Sequence, residues 1–590
     1  MNAAFPGSGN RVKQANLNFA PQIGIAWDPK GNGKTVVRAG IGMFYENVIY
    51  NNVLFDRPLR LQNGAFNQVT SACLAGTAQP VPVAGGFITP SGLCGNIPVG
   101  TEVPQILSFW QQVLAGNPFS LQNHNPNYIG DFLGAGIGSA GAIGLFDPDY
   151  KTPVSVQMNV GIQRELRHGM VFSADYLRNV ETRTLLGIDI NHSGGVQNFN
   201  SGAAAAAISD TLAFCNSATI DQAIATGTCP DSPTATTTHT ATIADFAGFG
   251  LSNEADIAGV GCNQSAANGG IGRPCAFGGK NPNQASYFLL KPVGRSVYNA
   301  LQMKVSQNVA NPFKGVKTAN FQVSYSLSNF SNTGGAQLTG TTADSDQDFV
   351  LQAADYNKPG RYYGPALLDR THQISFGGYA DVPAGFRLGL IAHFYSPLSS
   401  AIVAPVSGGA GEIFLSDFTG DGTTGDPLPG THLGQFDRGT DAQGLISLVN
   451  KYNSTVAGQA TPAGQALIGA NLMTLQQLQG LGGVAQPIAP PPSNQVDFTW
   501  LKVVDLKLAW RHTFKERLTI EPSVGFYNVL NFANFNLPPN TMAGILDGQG
   551  SSINSVPKGV ANDQFRVGNG TGVYSLGAPR QIEGGLRIEF

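Results

Sequence analysis

With 590 residues the chain could bury several cores, yet only 12% of the residues are charged, about half the share of an ordinary globular protein. Uncharged polarity takes that place, in 75 glycines and an abundance of Ala, Asn, Gln, Ser and Thr. A net charge of -3 without a basic run excludes electrostatic nucleic-acid binding, and no run approaches the roughly 18 apolar residues of a membrane-spanning helix.

The opening residues, Met1 to Asn10, have neither the basic start nor the apolar run of a signal peptide, so an exported form is expected to take its signal from outside this sequence. From residue 17 a period of two sets in. Phe19, Pro21, Ile23, Ile25 and Trp27 share one face of an extended segment, a short turn follows at Asp28 to Gly33, and the chain returns through Val37, Ala39, Ile41, Met43 and Tyr45. This predicts a hairpin. A loop of about a hundred residues then runs to Lys151. It contains Cys73, Cys94 and a segment, Val103 to Leu114, that is expected to be helical.

A second hairpin places Val156, Met158, Val160 and Ile162 before a turn near Arg167-His168-Gly169, and Met170, Phe172, Ala174 and Tyr176 after it. The next long loop carries Cys215, Cys229, Cys262 and Cys275. Three further hairpins follow: Leu301 to Val305 with Phe321 to Leu327, Ile374 to Ala380 with Phe386 to Phe394, and Val504 to Trp510 with Leu518 to Phe526. The chain ends in a last alternating strand, with Ile582, Gly584, Leu586, Ile588 and Phe590 on one face and Glu583, Gly585, Arg587 and Glu589 on the other.

Eleven strands are therefore predicted, and short turns alternate strictly with loops of roughly 45 to 125 residues. A soluble sandwich has no reason for that asymmetry, whereas outer-membrane barrels have short periplasmic turns and long extracellular loops. The reading is an all-β fold, a transmembrane antiparallel β-barrel with its apolar face toward lipid and its charged face toward a wet lumen. Aromatic residues near strand ends (Trp27, Tyr45, Tyr176, Trp510, Phe526, Phe590) suit interfacial girdles. Eleven strands with inward short turns would start and finish in the same direction, so closure requires more strands than these. Residues 1–590 are expected to form part of a larger barrel. The last strand is expected to pair with residues 517 to 530.

The six cysteines fall into three local pairs in loops, Cys73 with Cys94, Cys215 with Cys229 and Cys262 with Cys275, which points to disulfides in an oxidising compartment. Gly31-Asn32-Gly33-Lys34-Thr35 lacks the glycine five positions earlier and precedes a strand, so it is not a phosphate loop. Asp417-Phe418-Thr419-Gly420-Asp421-Gly422 with Asp426 resembles the start of a calcium loop, although Leu428 stands where a bidentate Glu belongs. Calcium at Asp417, Asp421 and Asp426 is one expectation and a polar turn the other; no other cofactor is expected. The eight histidines show no metal or triad spacing, and no catalytic activity is expected. His393 and the charges Glu165, Asp175, Lys304, Asp505, Lys507, Arg511 and Glu521 are expected in the lumen, and His372 at the rim.

Several stretches together resemble TonB-dependent receptors of the Oar-like group. They are Ala20-Pro21-Gln22-Ile23-Gly24-Ile25-Ala26-Trp27-Asp28-Pro29 with Gly31 to Gly40 after it, Tyr298-Asn299-Ala300-Leu301-Gln302, Leu368-Asp369-Arg370-Thr371-His372-Gln373, Phe526 to Asn531, and Gly577 to Ile582. The resemblance implies a barrel of about 22 strands, of which half would lie here. It also implies a signal peptide, a carboxypeptidase-regulatory-like domain and a plug that have no counterpart in this sequence. The implied function is capture and import of a large solute such as a peptide, oligosaccharide or chelate across the outer membrane. TonB and the plug would be partners of the full-length protein, outer-membrane lipid would surround the wall, and the barrel assembly machinery would read Phe590. The alternative is a binding or adhesion protein that works through disulfide-pinned extracellular loops without transport.

Overall fold

A computed structural model describes residues 16–46, 145–253, 275–335, 351–488, 500–534 and 577–590, apart from 168, 232–234, 283–287, 367, 400, 407–409, 437 and 515–517, together with parts of 5–13 and 73–112. Among these, eleven long strands lie side by side in one antiparallel sheet. They are β1 (Gln22–Trp27), β2 (Thr35–Tyr45), β3 (Val154–Arg167), β4 (Met170–Asp189), β5 (Phe288–Phe313), β6 (Val316–Asn332), β7 (His372–Asp381), β8 (Phe386–Tyr395), β9 (Leu501–Trp510), β10 (Leu518–Tyr527) and β11 (Gln581–Glu589). Short strands at the long-loop end, and His512–Phe514 beyond β9, bring the sheet to 16.

Each strand pairs with the next in sequence, which is the order that hairpins alone dictate. The register joins the apolar faces into continuous rows: Ile23 opposes Ile41, Ile41 opposes Met158, Leu390 opposes Leu506, and Phe526 opposes Ile582. A one-residue slip anywhere would turn a strand's apolar set to the other side. The expected partner of the last strand is present, since β11 runs along β10 from Tyr527↔Gln581 to Thr519↔Glu589. Two features differ from expectation. Strands β4, β5 and β6 have 20, 26 and 17 residues, longer than a membrane crossing needs, because they continue past the wall into the folded loops. Of the segment expected to be helical, six residues between Pro104 and Gln112 are described and helical; the rest lies outside the described residues.

The short turns are built from residues whose backbone suits them. At the β7–β8 turn Ala384 and Gly385 both take positive φ, and a side chain on Gly385 would meet the Arg511 carbonyl oxygen at 2.3 Å. The same approach lets Arg511 N–H donate to Gly385 O at 2.8 Å while Trp510 Nε1 donates to Ala384 O. One turn thus locks three strands together. No described helix is long and apolar enough to cross a membrane, which says nothing against crossing by strands.

Candidate functional site

The sheet turns its greasy face outward. Ile23 is 75% exposed, Val160 57%, and Leu586 66%, and these side chains all lie on the continuous apolar face. The opposite face is polar and tied across strands. Arg38 on β2 reaches over β3 to Asp175 on β4, donating from Nε at 3.0 Å and Nη2 at 2.8 Å. The residue passed over is Gly161, where a Cβ would lie 1.8 Å from Asp175 Oδ1; only glycine leaves room for that bridge. Arg387 forks onto Asp381 and lies 4.4 Å over the Tyr379 ring, and Arg511 pairs with Glu589 at 2.9 Å. His393 is on this face as expected, its Nδ1 3.0 Å from both Ser375 Oγ and Tyr395 OH. His372 sits at the outer end, 2.9 Å from Tyr325 OH and stacked on Trp500.

Above the wall the long loops are not open coils. Loops β4–β5, β6–β7 and β8–β9 fold together into a lobe with its own core. Its helices are α1 (Ser201–Phe214), α2 (Ile220–Thr226), α3 (Ile243–Phe246), α4 (Ala442–Thr455), α5 (Pro462–Gly469) and α6 (Leu475–Gly480). Polar caps start them: Asn200 accepts from Ala203 N, Asp441 from Gly444 N, and Thr474 with Gln477 forms a capping box. Phe246, Phe277, Phe414, Leu467 and Leu478 are fully buried in one cluster drawn from two loops some two hundred residues apart in sequence. Burial of each is worth about 1.5–3 kcal/mol. Cys215 and Cys229 form the predicted disulfide, closing α1 onto the segment after α2. Cys94 and Cys275 are also disulfide-bonded; the side chain of Cys73 and all of Cys262, their expected partners, lie outside the described residues.

The third loop is held by charge. Arg438 Nε donates to Asp369 Oδ2 at 2.6 Å with both side chains buried, and its Nη2 donates to the carbonyls of Asp369 and Pro397. Where the three loops meet stands the acidic turn. Asp417, Asp421 and Asp426 are brought together and are wholly buried. Their oxygens accept from backbone amides and hydroxyls: Asp417 from Gly420, Gly422 and Thr419, Asp421 from Thr419, Thr423 and Tyr356, and Asp426 from Phe418, Thr419 and Thr423. Val196 N–H from the β4–β5 loop also donates to Gly420 O at 2.9 Å. Burial, then the neighbouring Asp421 charge, pushes Asp417 up to about 7. Burial followed by the charges of Asp417 and Asp421 raises Asp426 as well. Among the described residues no set of three His, Cys, Asp or Glu side chains is arranged to hold a metal ion. In this structure the turn is a knot between loops.

The pattern of Asp417, Asp421 and Asp426 was visible in the sequence, but their role as a junction was not, because Tyr356 and Val196 come from other loops. Phe590, the expected assembly residue, is fully exposed just past the end of β11.

Several solved structures align with the chain at low identity. The outer membrane transporter YddB from Escherichia coli aligns over 98% of this chain and 41% of its own, with 9% identity and a TM-score of 0.40. A ferric enterobactin receptor (PfeA) mutant from Pseudomonas aeruginosa aligns over 97% and 40%, with 8% identity and a TM-score of 0.34. The siderophore receptor PirA from Acinetobacter baumannii aligns over 97% and 41%, with 8% identity and a TM-score of 0.34. The chain therefore spans about two fifths of the length of these proteins. No curated protein matches it. A family model, the outer membrane beta barrel domain, matches residues 2–582, and the chain belongs to that family as an antiparallel β-barrel protein of the outer membrane.

Proposed function

We propose that this chain is the C-terminal barrel region of a TonB-dependent receptor of the Oar-like group, and that its lobe captures a large solute for import. The observation that carries the reading is the joining of three extracellular loops into one cored lobe directly above a polar, charge-lined sheet face. A recognition surface placed at the mouth of a wet lumen suits uptake of a bulky polar solute such as a peptide, oligosaccharide or chelate. Topology supports the fragment reading. With eleven antiparallel strands in sequence order, β1 and β11 run in the same direction, and each has one neighbour among the described residues. Antiparallel closure needs an odd number of further strands between them. A second copy related by a two-fold axis along the membrane normal would set β11 parallel to β1, so it does not supply that closure.

A plug and TonB act with this region only in the full-length receptor, and the chain on its own has no catalytic role in this proposal. The second reading is an adhesion or binding protein, favoured by the disulfide and the buried Asp369–Arg438 pair, which rigidify the lobe independently of any passage beneath it. The test is uptake of fluorescent peptide and oligosaccharide libraries by cells making the full-length protein, with and without TonB. Internalisation that requires TonB is the expected result. Surface binding that never leads to internalisation in either strain would overturn transport and leave adhesion.

A further inference from the structure

The two faces of the sheet differ in the charges they carry as well as in polarity. Acids and cations stand together on the inward face, as Arg38 with Asp175 and Arg387 with Asp381 do, and cations stand without acids on the outward one. Following the register from Ile23 across the sheet, the outward face between the short turns and the bulges beside Arg183 and Gly294 carries no Asp or Glu among the described residues. Its charges are cations: Arg164, Arg178, Arg295, Lys317 beside the β5–β6 turn, and Lys502. The inward face holds the acids, Asp175, Glu181, Asp381, Asp505, Glu583 and Glu589 among them. Cations without acids are what a face that meets lipid phosphates would carry. Acids would repel the phosphates of a membrane surface, and cations would pair with them.

Position narrows the partner. Arg178 stands eight residues (178 − 170) from the start of β4, and Lys502 eight (510 − 502) from the end of β9. At ~3.3 Å per residue and a tilt of ~40° both lie about 20 Å above the short-turn end, near the outer edge of an apolar band about 25 Å tall. Arg164 stands three residues (167 − 164) from the end of β3, by the inner edge. Below Arg178 the outward face of β1 to β4 forms an apolar trough of about 430 Å³, lined by Ile25, Ile41, Met158, Val160 and Tyr176, with Arg178 on its β4 side. The guanidinium is aimed by Asn299, whose Oδ1 accepts from Nη1 at 2.7 Å and from Tyr176 OH at 3.2 Å. Among the described residues no carboxylate pairs with Arg178, so most of its donor fork is left for a planar or tetrahedral oxyanion.

We propose that Arg178, oriented by Asn299, binds a phosphate of a phosphorylated glycolipid of the outer leaflet, one of whose acyl chains lies in the trough. Arg295, which opposes Thr182 four residues (182 − 178) farther out, meets the more distal anionic groups of the same lipid. The site fixes the rotational setting of the wall in an asymmetric membrane and holds one lipid beneath the lobe.

The experiment uses the full protein extracted from outer membranes in mild detergent, with folding checked by heat-modifiable migration. Native mass spectrometry reads titrations of bis-phosphorylated lipid A, of lipid A stripped of phosphate, and of phosphatidylglycerol. The expected result is binding of the phosphorylated glycolipid alone, weakened about tenfold by Arg178→Gln. A smaller loss is expected for Arg178→Lys, which keeps the charge without the fork, and none for Arg164→Gln. Equal binding by wild type and Arg178→Gln would overturn the proposal. So would binding of the dephosphorylated lipid, or of phosphatidylglycerol, as tight as that of the phosphorylated glycolipid. Should Arg178→Gln fail to assemble, the comparison of the three lipids on wild-type protein decides by itself.

Discussion

The wall and the lobe are made from one chain but solve opposite problems. In the wall, large apolar residues are exposed and the acids face inward; in the lobe, Phe246, Phe277 and Phe414 have no exposure. Hydrogen bonding follows the same division. A sheet in lipid must satisfy every amide within its own ladders, whereas the lobe spends buried side chains on amides off the ladder: Asp417 and Asp421 on loop amides, and Asp369 on Phe330 N–H at the outer end of β6. The difference teaches that burial alone does not identify a core here: the solvent of each region decides which side chains count as inside.

The largest effect separating the two regions is expected from Phe414→Ala. Phe414 is fully buried and meets Phe277 edge to face at 5.8 Å, so truncation should cost about 3–5 kcal/mol within the lobe. Limited proteolysis should then cut the β8–β9 loop much faster while heat-modifiable migration of the wall is unchanged. Loss of both together would mean that lobe and wall fold as one unit, which the comparison denies.

Next in size is a pair of neighbours on β8. Leu390 faces outward opposite Gly378 and Leu506, about four residues above the turn, while Ile391 faces inward opposite Gly377 and Asp505. Leu390→Arg places a cation near mid-depth in lipid and should cost about 2–4 kcal/mol, read as a fall in the urea midpoint for unfolding from detergent or vesicles. Ile391→Arg should be close to neutral, since Asp505 stands opposite. Equal losses at the two positions would break the assignment of faces.

The wall was legible in the sequence because its rule is local. A period of two, punctuated by Asn32-Gly33, Lys314-Gly315 and Ala384-Gly385, states both the strands and their order, and sequence-adjacent pairing leaves no topology to guess. The lobe was not legible, for physical reasons visible in particular residues. Helix α1 reads Ser-Gly-Ala-Ala-Ala-Ala-Ala-Ile-Ser-Asp, a run with almost no difference between its faces, so no amphipathic period announces it. Its caps were the available signal, Asn200 before α1 and Thr474-x-x-Gln477 at α6. The core partners Phe277 and Phe414 lie 137 residues apart (414 − 277), and nothing local encodes their meeting. The extra length of β5 was hidden for a similar reason: beyond the bulge at Gly294 its pairing continues through Pro292 and Leu290, where alternation fails.

The acidic turn gives the smallest and most discriminating test, because it asks what sort of interior the lobe has. An aspartate in the unfolded chain titrates near 3.8, and Asp417 in the folded lobe near 7, its charge opposed first by burial and then by Asp421. Between those values the folded lobe binds more protons than the unfolded chain. Its stability should therefore be greatest near pH 4, decline as pH rises, and level off above about 7, by at most about 1.4 kcal/mol per pH unit for one proton. Hydrogen exchange of the amides that the turn engages, such as Tyr356 and Gly422, measures this without unfolding the wall. Asp417→Asn should flatten the profile and, at neutral pH, cost less than a lost hydrogen bond would suggest, because it removes a carboxylate whose charge burial opposes. A profile that rises with pH in the presence of calcium and not in its absence would give the turn to an ion, as the spacing of Asp417, Asp421 and Asp426 first suggested. A flat profile in the wild type would mean that the amides gathered around the three carboxylates hold them charged against burial, and that the lobe, like the lumen face of the wall, tolerates ionised groups in its interior.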